Sequence, residues 1–388
     1  MVFQRGRELR VFGSLEGAKG NSVTSRLKDK ETVISEGKTS SVNDDGLFLC
    51  VMPPAPAGGP YTLEVSSSEE GADATVLVRE VYVGEVWLAG GQSNMEYPLG
   101  RTEGAKAVVS SCPDTRIHFC NAAEPKWSVI NKDTCYDMSG VAYYFALKLQ
   151  EYIKDVHIGI IGCYLGGTSA SCWQPVSSLE KTPEGRSFLR DYELKCNAWR
   201  SPDDYRKAVL DYDNACETYN AKLVPLLEKE PYLTYMEVED RLGGGPWPPP
   251  MGPDSIRRPG ALYEKFVLKL APFSLKGVIF YQGEEDAAEH SKEYAVAFRS
   301  LIEQWREVFD APELPFLFCE LPQFTDSSDK TWPELRKQQK LVADNDPHAY
   351  MIELADYGEV GNVHPSDKVT PGNRLADSAL LNVYRLKR

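Results

Sequence analysis

The chain has 388 residues, 42% of them apolar and 11% aromatic, a composition that builds a globular core and excludes an intrinsically disordered protein. Its 57 acidic and 43 basic residues leave a formal charge of −14, so its surface repels nucleic acid and anionic lipid and suits a small molecule or a glycan. No apolar run reaches the roughly 18 residues a spanning helix needs, and the opening MVFQRGRELRVFG lacks the apolar stretch of a signal peptide. A cytoplasmic protein is therefore expected; a secreted or lysosomal-type one follows instead if a leader once preceded this sequence. Nine cysteines are scattered with no CxxC pair, which removes zinc-site spacing and fits free thiols, with Cys112 and Cys135 as a pair that a secreted form would bridge.

Residues 1–84 read as a small N-terminal β-sandwich domain. RELRVFG, SVTSRL, LFLCVM, YTLEV and TVLVREVYVG are short, β-rich runs bounded by turn signals such as Asn43-Asp44-Asp45-Gly46 and the PPAPAGGP loop at 53–60. From residue 85 to 388 strands alternate with helices. EVWLA, VHIGIIGCYL, KGVIFYQ, LPFLFCEL and HAYMIEL are the apolar runs of strands buried on both faces. SGVAYYFALKLQEYI, with Ser139 as N-cap, SKEYAVAFRSLIEQWREVF and WPELRKQQKLVAD carry helical spacing, and a last helix is expected once Pro371 is passed. The alternation predicts an α/β fold with a mostly parallel sheet between helical layers.

Residues 174–258 interrupt that alternation. Ser201 as N-cap and Pro202 at the first helical position predict a helix running towards Lys229, ended or kinked at Pro225. GGGPWPPPMGP at 243–253 cannot hold regular structure. The segment is expected to be a helical insertion followed by a stiff loop.

In open α/β sheets, ligands bind beyond the carboxyl ends of the strands. Four polar clusters follow four predicted strands: GGQSNM (90–95), GGTS (166–169), YQGE (281–284) and ADYGEVGNVHPSDK (355–368). Together they hold a hydroxyl, a glycine pair, an amide with a carboxylate, and a histidine. Acyl transfer needs these groups. Ser93 becomes a nucleophile if His364 takes its proton. The N–H of Ser93, the N–H of Gly166 or Gly167 and the amide of Gln282 are candidate donors where negative charge develops. Each has a plainer reading. Ser93 serves equally as a turn residue, the glycines as a tight strand-to-helix turn, and Gln282 with Glu284 as a structural pair. His290 is the one rival base. Asn94 pins the turn and Met95 fills core. Arg336, on a helix, reads as a solvated or ion-paired residue. Trp173 is core or substrate rim, and Trp247, set between prolines, is the better rim candidate.

The blocks MVFQR (1–5), DGLFLCVMPPAPAGGPYTLEV (45–65), GEVWLAGGQSNMEYPL (84–99), SGVAYYFALKL (139–149), GGTSASCW (166–173), PGALYEKFVLKLAPFSLKGVIFYQGEED (259–286), LRKQQ (335–339) and GNVHPSDK (361–368) span nearly the whole chain. In that order they resemble the sialate O-acetylesterase group of carbohydrate esterases, within the SGNH hydrolase superfamily. The resemblance implies an SGNH-type three-layer α/β/α sandwich with a small N-terminal β domain. It implies Ser93 as nucleophile, His364 as base, Arg336 near the substrate or in support of the loops, and removal of O-acetyl groups from a sugar, most simply sialic acid, with no cofactor and no metal. An acetylxylan or other short-acyl carbohydrate esterase is the alternative within the same chemistry, and an inactive glycan-binding homologue the alternative outside it. The chain departs from the wider pattern at one place. Many SGNH enzymes carry Asp three residues before the histidine, and Gly361 stands there. The third group of a triad holds the imidazole in one tautomer. A backbone carbonyl near Gly361 is the favoured orienter, with Asp356 or Glu284 as the acidic alternatives.

Overall fold

The computed structural model describes residues 1–15, 22–39, 42–69, 72–113, 115–324 and 330–386. Thirteen strands lie among the described residues: β1 (Val2–Gln4), β2 (Leu9–Ser14), β3 (Ser22–Asp29), β4 (Thr32–Lys38), β5 (Leu47–Met52), β6 (Gly58–Glu69), β7 (Ala72–Gly91), β8 (Ile117–Asn121), β9 (Glu124–Val129), β10 (Ile158–Tyr164), β11 (Gly277–Tyr281), β12 (Phe316–Cys319) and β13 (Ala349–Ile352). The central sheet runs β13-β12-β11-β7-β10-β8-β9, parallel throughout except for the antiparallel edge strand β9.

Period-two alternation divides the sheet residues between two cores. Trp87, Ala89, Ile279 and Tyr281 point to one face, where they join Phe145 of helix Gly140–Tyr152 and Leu375 of helix Val369–Ser378. Val86, Leu88, Val278 and Phe280 point to the other, with Phe298 of helix Tyr294–Val308 and Leu335 of helix Thr331–Asn345. Both faces are covered, which is why β10, β11 and β12 are buried along their whole length. Ser139 caps its helix, accepting from the Ala142 N–H at 3.1 Å. The last helix begins at Val369, two residues before Pro371 rather than after it; the first helical turn has no use for a proline N–H.

The N-terminal strands join the central sheet without a linker. β7 is 20 residues long: its first half pairs antiparallel with β6, and its second half runs between β10 and β11. The expected boundary at 84/85 falls inside this one strand. β2 and β5 form a separate antiparallel pair whose Leu9, Val11, Cys50 and Met52 share a core with Leu27, Leu63 and Val81. All nine cysteines are free thiols.

The interrupting segment is helical, with helices Pro183–Asn197, Pro202–Lys229 and Tyr235–Leu242. Ser201 caps the second, accepting from the Asp204 N–H at 3.2 Å, and Pro225 lies inside the helix without ending it. No described helix is long and apolar enough to cross a membrane.

Candidate active site

The three middle strands deliver their clusters to one edge. β7 ends at Gly91, whose φ is +133° and whose added Cβ would lie 2.0 Å from the Tyr281 carbonyl oxygen, so only glycine lets the chain turn against β11. Gln92 then donates its N–H to that same carbonyl at 3.0 Å, and Ser93 opens the short helix Ser93–Glu96. The Gln92 side-chain oxygen accepts from the N–H groups of Gly283 and Glu285, both at 3.3 Å, tying the serine turn to the turn after β11.

Ser93 Oγ lies 2.8 Å from His364 Nε2, although the two residues are 271 positions apart. The imidazole must therefore carry its proton on Nδ1 to accept from the hydroxyl. Burial, with help from the nearby Lys368 charge, pulls His364 down from the ordinary 6.5 to about 4, so the ring is neutral around pH 7. Among the described residues nothing is hydrogen-bonded to Nδ1. Glu284 Oε1 instead accepts from Asn94 Nδ2 at 2.6 Å. Asp356 forms a two-pronged pair with Arg374, at 2.6 and 2.8 Å, on the exposed surface. Among the described residues, then, neither carboxylate and no carbonyl is hydrogen-bonded to Nδ1.

The ring is held from its sides and through its main chain. The His364 N–H donates to Asn362 Oδ1 at 2.9 Å, while Asn362 Nδ2 donates to Glu359 Oε2 at 2.7 Å. Glu359 also accepts from the Ser366 N–H at 3.0 Å. The Tyr235 ring stands edge-on to the imidazole, with centroids 5.7 Å apart and planes at 85°. Tyr235 is brought there by the insertion: Thr234 and Glu237 form a capping box at the start of its helix, and the buried Arg101 donates to the carbonyls of Leu233 and Thr234 while covering the Tyr235 ring at 4.7 Å.

Two of the expected oxyanion donors are already engaged. The Gly166 N–H donates to Glu96 Oε2 at 2.6 Å. Gln282 is buried, and its amide nitrogen donates to the Thr168 carbonyl at 3.0 Å and to Asp286 Oδ2 at 2.7 Å. Both amide hydrogens are used, so Gln282 braces the turn instead of facing the substrate. The N–H groups of Ser93 and Gly167 have no hydrogen-bond partner among the described residues. Gly166 still packs on Ser93, since a Cβ built on it would lie 3.4 Å from Ser93 Cβ. Glu96 is half-buried and shifted above the usual carboxylate range by burial, against the opposing pull of the Gly166 N–H and Arg257.

The aromatic expectations divide. Trp173 is fully buried, donates from Nε1 to Thr168 Oγ1 at 3.0 Å and packs against Trp305; it is core, and the rim expectation for it fails. Trp247 is 54% exposed, and its ring lies over Gly167 so closely that an added Cβ would sit 1.8 Å from Cη2. Arg257 stacks on its ring at 5.4 Å and donates to the carbonyls of Gly166 and Gly167. Arg336 is paired with Glu320 through two contacts at 2.8 and 3.0 Å, and Glu320 also accepts from the Leu354 N–H, so Arg336 braces the loop after β13 and is not poised as a substrate contact. His290 stacks on Phe188 at 3.9 Å, among the insertion helices, and is no rival base. Tyr235, Glu96, Arg257, Glu359 and Lys368 were not foreseen as site residues. Lys368 and Glu96 lie within the quoted motif blocks, whereas Tyr235 and Arg257 carry no motif signal.

A family model described as carbohydrate esterase, sialic acid-specific acetylesterase, matches residues 83–191 and 250–381. The chain belongs to this carbohydrate esterase family. It is thus a carboxylic ester hydrolase. The match skips 192–249, the heart of the insertion. The chain is 24% identical to the sialate O-acetylesterase of Rattus norvegicus over 92% of its own length and 67% of that protein, and 25% identical to that of Homo sapiens over 92% and 65%. It therefore spans about two thirds of the length of these esterase relatives. Among solved structures it resembles a carbohydrate acetylesterase from Xanthomonas citri, with a TM-score of 0.71 and 24% identity, covering 99% of this chain and 73% of that one; the likeness extends the shared fold through the N-terminal strands.

Proposed function

We propose that this carbohydrate esterase removes O-acetyl groups from sialic acid through an acetyl-enzyme formed on Ser93. The observation that carries the reading is the 2.8 Å approach of Ser93 Oγ to a neutral His364 at the carboxyl edge of a parallel sheet. The sialate part rests on the family match and on the relatives' names.

As Ser93 Oγ attacks the acetyl carbonyl, its proton passes to His364 Nε2. The carbonyl oxygen becomes an oxyanion, received by the N–H groups of Ser93 and Gly167. Collapse breaks the bond to the sugar oxygen, which leaves with the proton from Nε2. Water, deprotonated by the same nitrogen, then attacks the acetyl-serine; acetate departs and Ser93 regains its proton. Among the described residues no carboxylate sits on Nδ1 to offset the imidazolium charge. In this reading residues 1–84 form a supporting β-sandwich, and the insertion at 174–258 walls the site with Tyr235 and Trp247.

The test is hydrolysis of p-nitrophenyl acetate, O-acetylated sialic acid and acetylated xylan by the wild type, Ser93→Ala and His364→Ala. Both variants are expected to lose about a millionfold in kcat, the order seen when a nucleophile or its base is removed. Wild-type rates in Ser93→Ala would overturn the mechanism. Turnover of xylan with none of sialic acid would overturn the substrate.

A further inference from the structure

His364 has the geometry of a base and, among the described residues, no hydrogen-bond partner on Nδ1, which leaves open what holds its ring in register with Ser93. Resting on the reading of Ser93 and His364 as nucleophile and base, we propose that Asn94 is a positioning residue that takes over the work of a third triad member, with Lys368 and Glu284 fixing its amide, and that it acts on the main chain beside His364 instead of on the ring.

Asn94 is completely buried and adjoins the nucleophile. Its Nδ2 donates to the Val363 carbonyl at 2.9 Å, one residue before His364, and to Glu284 Oε1 at 2.6 Å. Its Oδ1 accepts from Lys368 Nζ at 2.7 Å. One amide thus ties the serine turn after β7, the turn after β11 and the histidine loop after β13. The Val363 carbonyl held by Asn94 and the His364 N–H held by Asn362 belong to one peptide group, so the peptide plane that leads into His364 is fixed at both its oxygen and its nitrogen.

The flanking groups set the amide's direction. Burial lowers Lys368 to about 7 and raises Glu284, each against the pull of the other's charge; with both ionised, the ammonium only donates and the carboxylate only accepts, so the amide oxygen faces Lys368 and the NH2 faces Glu284. A flipped amide would set donor against donor and acceptor against acceptor. Neither charge serves stability in the ordinary way. Lys368 is fully buried over the faces of Tyr97 (4.5 Å) and Tyr281 (5.9 Å), and Glu284 Oε2 is buried with no hydrogen-bond partner. Burying such groups costs several kcal/mol per ion, and a well-packed apolar pair of the same volume is often as stable. An orphaned carboxylate oxygen at the centre of a site points to a geometric role for the other oxygen.

The experiment compares Asn94→Ala, Lys368→Met, Glu284→Leu and Glu284→Gln, the last of which keeps an oxygen acceptor for Asn94. Steady-state kinetics on p-nitrophenyl acetate are read as kcat and KM separately, with thermal unfolding measured in parallel and Ser93→Ala as the control. Asn94→Ala is expected to lower kcat about 100-fold, the scale of a misplacement near 1 Å, with KM within about twofold. Glu284→Gln is expected to recover most of the kcat that Glu284→Leu loses, at matched folded fraction. Wild-type kcat in Asn94→Ala, or equal losses in the two Glu284 variants, overturns the proposal. If Asn94→Ala does not fold, the Glu284 comparison decides. Should Ser93→Ala remain active, the nucleophile reading falls as well; an inactive Ser93→Ala beside a fully active Asn94→Ala removes the positioning role alone.

Discussion

The sharpest consequence of the site's electrostatics is its pH profile. His364 must be neutral to accept the Ser93 proton, and burial together with the Lys368 charge holds its pKa near 4 instead of 6.5. At pH 5 an imidazole with a pKa of 4 is about 90% neutral, whereas one at 6.5 is about 3% neutral, a roughly 30-fold difference in competent base. The acid limb of kcat/KM, which reports the free enzyme, is therefore expected near pH 4, with little loss between pH 7 and 5. The assay is initial-rate acetate release at substrate concentrations well below KM from pH 3.5 to 8. The same depression acts on stability. The unfolded histidine binds a proton below 6.5 that the folded one refuses, so this contribution is complete above 6.5 and disappears as pH falls towards 4. Lys368→Met removes the smaller of the two causes, so its acid limb is expected to move up and remain below 6.5. A wild-type limb at 6.5 would show that the ring is solvated in the free enzyme, and would refute the buried neutral base.

Three further outcomes follow from the packing. Gly167 has φ +61° and the Trp247 ring against it, so Gly167→Ala combines a backbone cost of about 1–2 kcal/mol with displacement of Trp247. Its loss of kcat/KM is expected to shrink in a Trp247→Ala background, and an equal loss in both backgrounds would disprove the clash. Trp173→Ala is expected to destabilise the fold by about 3–5 kcal/mol in denaturant titration, while Trp247→Ala leaves stability nearly unchanged and raises KM for an acetylated sugar more than for p-nitrophenyl acetate. Arg101→Met removes two hydrogen bonds and a cation–π contact that seat Tyr235 beside His364. It is expected to lower kcat with no direct contact to the reacting groups, and unaltered kinetics would show that Tyr235 keeps its place without it.

The fold was legible where apolar runs are long and flanked by turns. EVWLA, VHIGIIGCYL, KGVIFYQ, LPFLFCEL and HAYMIEL all became parallel strands, and Ser139 and Ser201 both cap helices. β8 and β9 went unrecognised because neither carries a long apolar run: β8 is IHFCN, and β9, EPKWSV, is a largely exposed edge strand. The seam at 84/85 marks a change of pairing partners within β7, and composition registers the partners without registering that the strand continues. At the site, residue types and order brought Ser93 and His364 together, but hydrogen-bond direction was invisible. A Gln after a strand reads the same whether its NH2 faces a substrate or, as Gln282 does, a carbonyl and Asp286.

The same distinction separates the two sources of the site. Ser93, Asn94, Gly166, Glu284, His364 and Lys368 all lie in segments that the family model matches. Their positions follow from strand ends, which a parallel sheet places within a few ångströms wherever their loops differ in length. Tyr235 and Trp247 come from 192–249, outside the match, and reach the site through contacts made by Arg101 and Arg257. Arg101 belongs to the matched part, and the carbonyls it holds belong to the insertion. The insertion is thus anchored at the site itself, so a change in its helices is transmitted first to the ring beside the base and to the tryptophan above Gly167. Under the proposed mechanism, changes there act on substrate choice and leave the Ser93–His364 geometry at the strand ends fixed.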